Sequence, residues 1–166
     1  MLNKILLFAL ILFLSETAFA ENNNGIYLGN APADFEITAV AGGVSPAEPL
    51  YKIELDPAGK GLYFYIPSDK RASGEFIKTN EFMLDKLVLD MIYAAIVEND
   101  FFKLNKEYIA KDTLDGSFAE LTVTANNKTH TVRTQNTAQE DFDNIIMTIN
   151  LVVPDDNKII YNELLD

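Results

Sequence analysis

The chain has 166 residues, of which 25 are acidic and 13 are basic, so its formal net charge at pH 7 is −12. An acidic chain without a run of Lys and Arg repels phosphate backbones, which excludes nucleic-acid binding. Cysteine is absent, which excludes disulfides, Cys-based zinc sites, iron–sulfur clusters and thiol chemistry.

The first segment to consider is the N-terminus, which has the pattern of a signal peptide. Lys4 forms a short positive region, residues 5–14 are an unbroken apolar run, and Ala18-Phe19-Ala20 places small residues at a cleavage position. The apolar run is shorter than the roughly 20 residues of a membrane-spanning helix. We therefore expect cleavage after Ala20, export to the periplasm or the medium, and no stable membrane insertion of the mature chain.

After this segment, residues 21–33 are polar and rich in Gly and Asn, which predicts a flexible leader before a single domain over 34–166. Alternation in "DFEITAVA" (34–41) predicts a strand. The sequence "YKIELD-PAGK-GLYFYIP" (51–67) then has the period of two and the turn residues of a hairpin. "GEFIKT" (74–79) is compatible with one more short strand.

A long helix is predicted over "NEFMLDKLVLDMIYAAIVEN" (80–99), with Asn80 as the N-cap. Few charged residues interrupt it, so its polar stripe is narrow. Such a helix packs against a sheet and is covered further, or it contacts another subunit.

The remainder predicts a loop over 105–116, a second hairpin with Asn126-Asn127 as its turn, and a second helix over 138–150. Thr137 and Glu140 have the spacing of a capping box. The sequence leaves open whether the tail 155–166 forms a strand or a turn of helix.

Together these elements predict an α+β fold with an antiparallel sheet of about four to six strands. The expected order is hairpin, helix, hairpin, helix, with both helices packed on one face of the sheet.

The single histidine is placed by the pairing of the second hairpin. With Asn126-Asn127 as the turn, Val123 faces His130 and Glu120 faces Arg133, and the apolar residues share one side. His130 then lies on the apolar side without a carboxylate or nucleophile beside it, so it lacks the partner that a catalytic base needs. We predict a structural histidine with one ring nitrogen bonded to backbone or water.

Two tyrosines form a candidate binding surface. Tyr63 and Tyr65 share one face of their strand, opposite to Leu62 and Phe64. If the leucine face is the core, the tyrosines are exposed and could anchor a protein partner. Otherwise a helix or the C-terminal tail covers them.

Acidic residues in and after the 105–116 loop form a second candidate site. Asp112, Asp115 and Glu120 lie near the bend at Gly116, and oxygen ligands gathered at one turn suit Ca²⁺. The EF-hand spacing is absent, and Asp-Gly is also an ordinary turn.

Catalytic Ser, P-loop and dinucleotide motifs are absent too, so we single out no catalytic residue and predict no cofactor.

Several stretches resemble a family of uncharacterised exported bacterial domains: the Y-x-I-x-L-D…G hairpin at 51–59, "FFKL…Y" at 101–108, and "KTHTV" at 128–132. The resemblance covers roughly residues 34–150 and implies the fold and export. Many family members carry a Gly-Cys-Pro stretch before the first tyrosine strand, whereas "GGVSPAEPLY" (42–51) has no cysteine. Because the family has no established activity, it assigns no catalytic residue here.

These observations favour a small exported binding module with an unknown protein partner. One alternative is a carboxylate-based enzyme or calcium-dependent domain that uses residues 105–120. A second is a self-associating structural protein of the cell envelope, held together through the apolar helix.

Overall fold

The computed structural model describes residues 29–110 and 116–159, which form one open sheet with two helices. The strands are β1 Glu36–Gly43, β2 Leu50–Leu55, β3 Lys60–Ile66, β4 Ile77–Met83, β5 Glu107–Ile109, β6 Ser117–Ala125 and β7 Lys128–Gln135. The helices are α1 Lys86–Glu98 and α2 Glu140–Val152, and short 3₁₀ turns occupy Ser68–Ser73, Phe101–Lys103 and Asp155–Asn157.

The sheet has seven strands in the order β4-β3-β2-β1-β6-β7-β5, and all neighbours are antiparallel except β5 and β7. The α+β class is confirmed, but the predicted four to six strands and the hairpin-helix order are wrong in detail. Four strands precede α1 and three follow it. The additional strand is β5, which lies in the segment that the sequence predicts as a loop. Its three residues are too few to show a period of two.

The core lies between one face of the sheet and both helices. Ile37, Ile53 and Leu121 project from the central strands, and they pack in one cluster with apolar residues of α1 and α2. Cross-strand partners share a face, so the register places Tyr63 and Val132 on this side as well. We call this side the helix face and the opposite side the open face.

The strand β4 replaces the first part of the predicted helix 80–99. The chain stays paired with β3 through Met83, and Leu84 still donates its N–H to the Gly59 carbonyl at 2.9 Å. Only then does α1 begin, with Asp85 rather than Asn80 as the N-cap, since its carboxylate accepts the Val88 N–H at 3.0 Å.

The second hairpin has the predicted register throughout, including Val123 opposite His130 and Glu120 opposite Arg133. The turn residues Asn126 and Asn127 have φ of 53° and 59°, the left-handed conformation that asparagine tolerates. The turn is fixed from outside because Asp34 accepts both of its N–H groups, at 2.9 and 2.6 Å.

The apolar stripe predicted for the second helix is confirmed: Phe142, Ile145, Ile146 and Ile149 are fully buried. The N-cap is Gln139, which accepts the Phe142 N–H, and not the predicted capping box. After Pro154 the chain folds back beside α2, where Asn150 binds the backbone of Ile159 through two hydrogen bonds of 2.8 and 3.0 Å.

Candidate functional site

The outward side of the two helices carries large apolar side chains that contact water. Leu87 and Val97 on α1 are 62% and 53% exposed, and Met147 and Leu151 on α2 are 47% and 68% exposed. We call these four residues the helix-layer surface. A contiguous apolar patch on the outside of a domain is typical of a surface that binds another protein.

Helical spacing explains why these side chains face outward. On α1, Leu89, Ile92 and Ile96 recur at three and four residues and are buried against the sheet. Leu87 and Val97 lie outside that stripe. Met147 and Leu151 are four residues apart, so they are neighbours on the side of α2 that points away from the core. Their exposure follows from the helix period and not from local irregularity.

The helices contact each other and are tied together at one end. Asn99, the C-cap of α1, accepts a 3.3 Å hydrogen bond from the side-chain amide of Asn144 on α2. Asn99 also donates to the Ala95 carbonyl at 2.7 Å. This link fixes the relative position of the two helices that carry the helix-layer surface.

The two helices that carry the helix-layer surface also carry exposed acidic side chains. Glu98 ends α1, and Glu140 and Asp141 lie in the first turn of α2, where the helix dipole favours negative charge. All three are exposed. The two helices therefore present both apolar and negatively charged side chains to solvent.

One acidic group of α1 is not available to a ligand. Burial acts to raise the pKa of Asp90, but the Lys86 ammonium and the Ala31 N–H outweigh it and hold that pKa below its usual value. The Ala31 N–H donates to Asp90 at 2.7 Å, which fastens the start of the described chain to the helix. Asp90 is thus a structural carboxylate.

Of the two tyrosines predicted to form a binding surface, Tyr63 belongs to the core and Tyr65 lies at its edge. Tyr63 lies on the helix face, is 7% exposed, and donates a 3.4 Å hydrogen bond to the Lys158 carbonyl. The leucine face of β3 is therefore the open face, and the C-terminal segment helps to cover Tyr63. Tyr65 is half-buried, and its ring centroid lies 5.4 Å from that of Tyr51. The structure thus leaves only the less buried Tyr65 available as a surface anchor.

Burial and neighbouring phenols raise the pKa of two of these tyrosines. Desolvation raises the pKa of Tyr63 to about 12, and the neighbouring phenols of Tyr51 and Tyr65 add to the shift. Desolvation also raises the pKa of Tyr51. A phenol with a raised pKa is a weaker acid and stays protonated near neutral pH, so this cluster favours packing over proton transfer.

His130 has the structural role that the register predicts. Its Nε2 lies 3.0 Å from the Leu104 carbonyl oxygen, and its ring packs edge-on against Phe101 at 5.4 Å between centroids. Carboxylates and hydroxyls are absent from these contacts.

Of the three acidic residues that the sequence offers as a calcium site, the structure describes only Glu120. Asp112 and Asp115 lie outside the described residues. Glu120 is on the open face of β6, 3.7 Å from the Arg133 guanidinium in the predicted cross-strand pair. Within the described ranges, three or more His, Asp or Glu side chains do not gather at any point suited to a metal ion.

In residues 29–110 and 116–159 no helix has both the length and the apolar character needed to cross a bilayer.

No protein-family model matches the chain, and no curated protein matches it significantly.

Sequence reasoning identified α1 as unusually apolar but did not single out the residues of the helix-layer surface. The signal was available on α2, where Met147 and Leu151 lie off the buried stripe of Phe142, Ile146 and Ile149. An aliphatic residue at a position that helical spacing assigns to solvent is the pattern that would have found them.

Proposed function

We propose that this protein is an exported interaction module that binds a protein partner through the helix-layer surface. The observation that carries the proposal is the exposure of Leu87, Val97, Met147 and Leu151 on one side of the helix layer. Export rests on the signal-peptide pattern of residues 1–20.

The charge around the surface suggests the chemistry of the partner. Glu98 follows Val97 on α1, Glu140 and Asp141 lie on α2 with Met147 and Leu151, and the whole chain carries a net charge of −12. A partner with an aliphatic or aromatic patch bordered by Lys and Arg matches both features. The apolar contacts supply affinity, whereas the charges accelerate association and make it depend on salt.

The test is a capture experiment on envelope extract of the native host. The full-length chain is expressed with a C-terminal tag, purified as the cell processes it, and used as bait at low and moderate salt. We expect one stoichiometric partner that the Leu87→Ser, Leu151→Ser double variant no longer captures. Recovery of the bait from the envelope fraction tests export at the same time.

The matched control is Ile109→Ser, which removes an exposed aliphatic side chain from β5, on an edge of the sheet. This variant is expected to retain the partner. Equal capture by the double variant and the wild type would rule out the helix-layer surface as the binding site. Thermal unfolding of each variant separates lost binding from lost structure.

A further inference from the structure

The strand β4 forms an open edge of the sheet. It is bonded to β3 on one side, and none of the described strands lies on its other side. Six of its seven residues are exposed, with Phe82 as the buried one. Ile77 is 42% exposed and Met83 66%. An edge strand with unpaired backbone groups and exposed apolar side chains is a template for pairing with another strand.

An irregularity in the pairing of β3 and β4 determines which side chains share a face. Lys78 pairs with Phe64 and Glu81 pairs with Leu62, so both lie on the open face although they are three residues apart. Ile77 pairs with Tyr65 and Phe82 with Gly61, so both lie on the helix face. The register shift that produces this pattern falls between Tyr63 and Phe64, opposite Thr79.

This pattern makes β4 self-complementary in one antiparallel register. If two copies of β4 pair around a two-fold axis between Thr79 and Asn80, Lys78 of each copy lies opposite Glu81 of the other. In the same register Ile77 lies opposite Phe82. The Lys78–Glu81 pairs match open face with open face and the Ile77–Phe82 pairs match helix face with helix face, as antiparallel pairing requires. The unpaired residue Thr79 at the irregularity makes this match possible, because in a regular strand residues three or five apart lie on opposite faces.

We propose that the protein forms a homodimer in which β4 of one copy pairs with β4 of the second in this register. The two sheets then become one continuous sheet. Lys78 and Glu81 of the two copies form a cluster of alternating charges on the open face. The Ile77–Phe82 pairs lie on the helix face of the same two strands.

The features that usually protect an edge do not oppose this arrangement. A lysine and an irregularity on an edge strand commonly prevent pairing with foreign strands. Here Glu81 already holds Lys78 at 2.8 Å and Lys60 at 3.1 Å within one chain. In the dimer Lys78 of each copy faces Glu81 of the other, so both lysines keep a carboxylate partner. Pairing with an uncharged strand would not supply such a partner, so the lysine favours self-pairing.

The test is sedimentation equilibrium of the full-length chain, purified as the expressing cell processes it. Wild-type protein is expected to be dimeric. Lys78→Glu and Glu81→Lys each bring like charges together twice across the axis, so each is expected to weaken dimerisation about tenfold or more. The K78E/E81K double variant restores opposite charges and is expected to dimerise like the wild type.

Mixing the two single variants gives the sharpest result. A K78E chain and an E81K chain have opposite charges at both positions, so an equimolar mixture is expected to form heterodimers although neither variant dimerises well alone. Lys60→Glu is the control, because it breaks an ion pair with Glu81 inside one chain without facing the second copy, and it is expected to leave the dimer intact. A monomeric wild type, or single variants that dimerise as tightly as the wild type, would overturn the proposal.

Discussion

Replacing Gly61 with alanine tests the contact that keeps β4 paired with β3. A Cβ atom at Gly61 would lie 2.3 Å from Cε2 and Cζ of the Phe82 ring, closer than atoms of neighbouring side chains can approach. Phe82 is 9% exposed and belongs to the core. The ring must therefore move out of its position over the sheet, and part of its burial is lost.

Overpacking of this kind costs about 1–3 kcal/mol in the free energy of unfolding. The cost has a specific partner, so a double-mutant cycle isolates it. Phe82→Leu shortens the side chain that meets the new methyl group. In that background we expect Gly61→Ala to cost less than about 1 kcal/mol. Urea unfolding at equilibrium gives the four free energies of the cycle.

Two outcomes would contradict this reasoning. If Gly61→Ala is neutral, the ring has room to move and does not depend on the glycine. If its cost is the same with Phe82 and with Leu at that position, the destabilisation comes from the β3 backbone and not from the contact between strands. Gly74→Ala serves as a reference, since a Cβ there meets nothing within 4 Å and the cost reflects only its φ of 67°.

Three further predictions concern ionisable groups. The N–H of Asn127 holds the pKa of Asp34 below its usual value, so Asp34 stabilises the fold above about pH 4 and this contribution is lost as pH falls. Acid unfolding of the Asp34→Asn variant should therefore lack this part of the pH dependence. Burial raises the pKa of Tyr63 to about 12, so the folded protein should lose stability as pH rises from about 10 towards that value. The Tyr63→Phe variant should lose less stability over this range in alkaline unfolding curves. If residues 105–120 bind Ca²⁺, the calcium-dependent rise in melting temperature should disappear in the Asp112→Asn, Asp115→Asn variant, and a wild type that shows no rise would end the calcium hypothesis.

The second hairpin was predictable from the sequence because its information is local. Asn126-Asn127 fixes the turn, and from that point each residue has one partner, as the pairs Val123–His130 and Glu120–Arg133 show. Apolar residues and threonines then separate onto opposite faces. One turn therefore fixed both the register and the place of the single histidine.

The start of α1 was not predictable in the same way. Residues 80–84 have helix-compatible composition, and Asn80 is a reasonable N-cap. The strand forms because Phe82 fits over Gly61 and Leu84 bonds to Gly59, both about twenty residues earlier in the chain. Local preference lost to a tertiary contact, which a pattern within one segment does not reveal.

The orientation of β3 also depends on distant residues. Its two faces, Leu62 with Phe64 and Tyr63 with Tyr65, are both apolar enough to form a core. The choice is made by Ile53 on β2, which is fully buried on the helix face and pairs with Tyr63. The hairpin's alternation was clear, yet which face meets the helices depended on packing with β1 and α1.

The proposed dimer and the helix-layer surface would reinforce each other. Pairing of β4 around an axis perpendicular to the sheet places the helices of both copies on the same side of the continuous sheet. Leu87 and Leu151 of each copy would then face the same direction. A partner with two matching patches would bind the second copy at a high effective concentration, so weak sites could give strong overall binding. The K78E variant should then bind a two-site partner much more weakly than the wild type, whereas its binding to a one-site fragment of that partner should be unchanged.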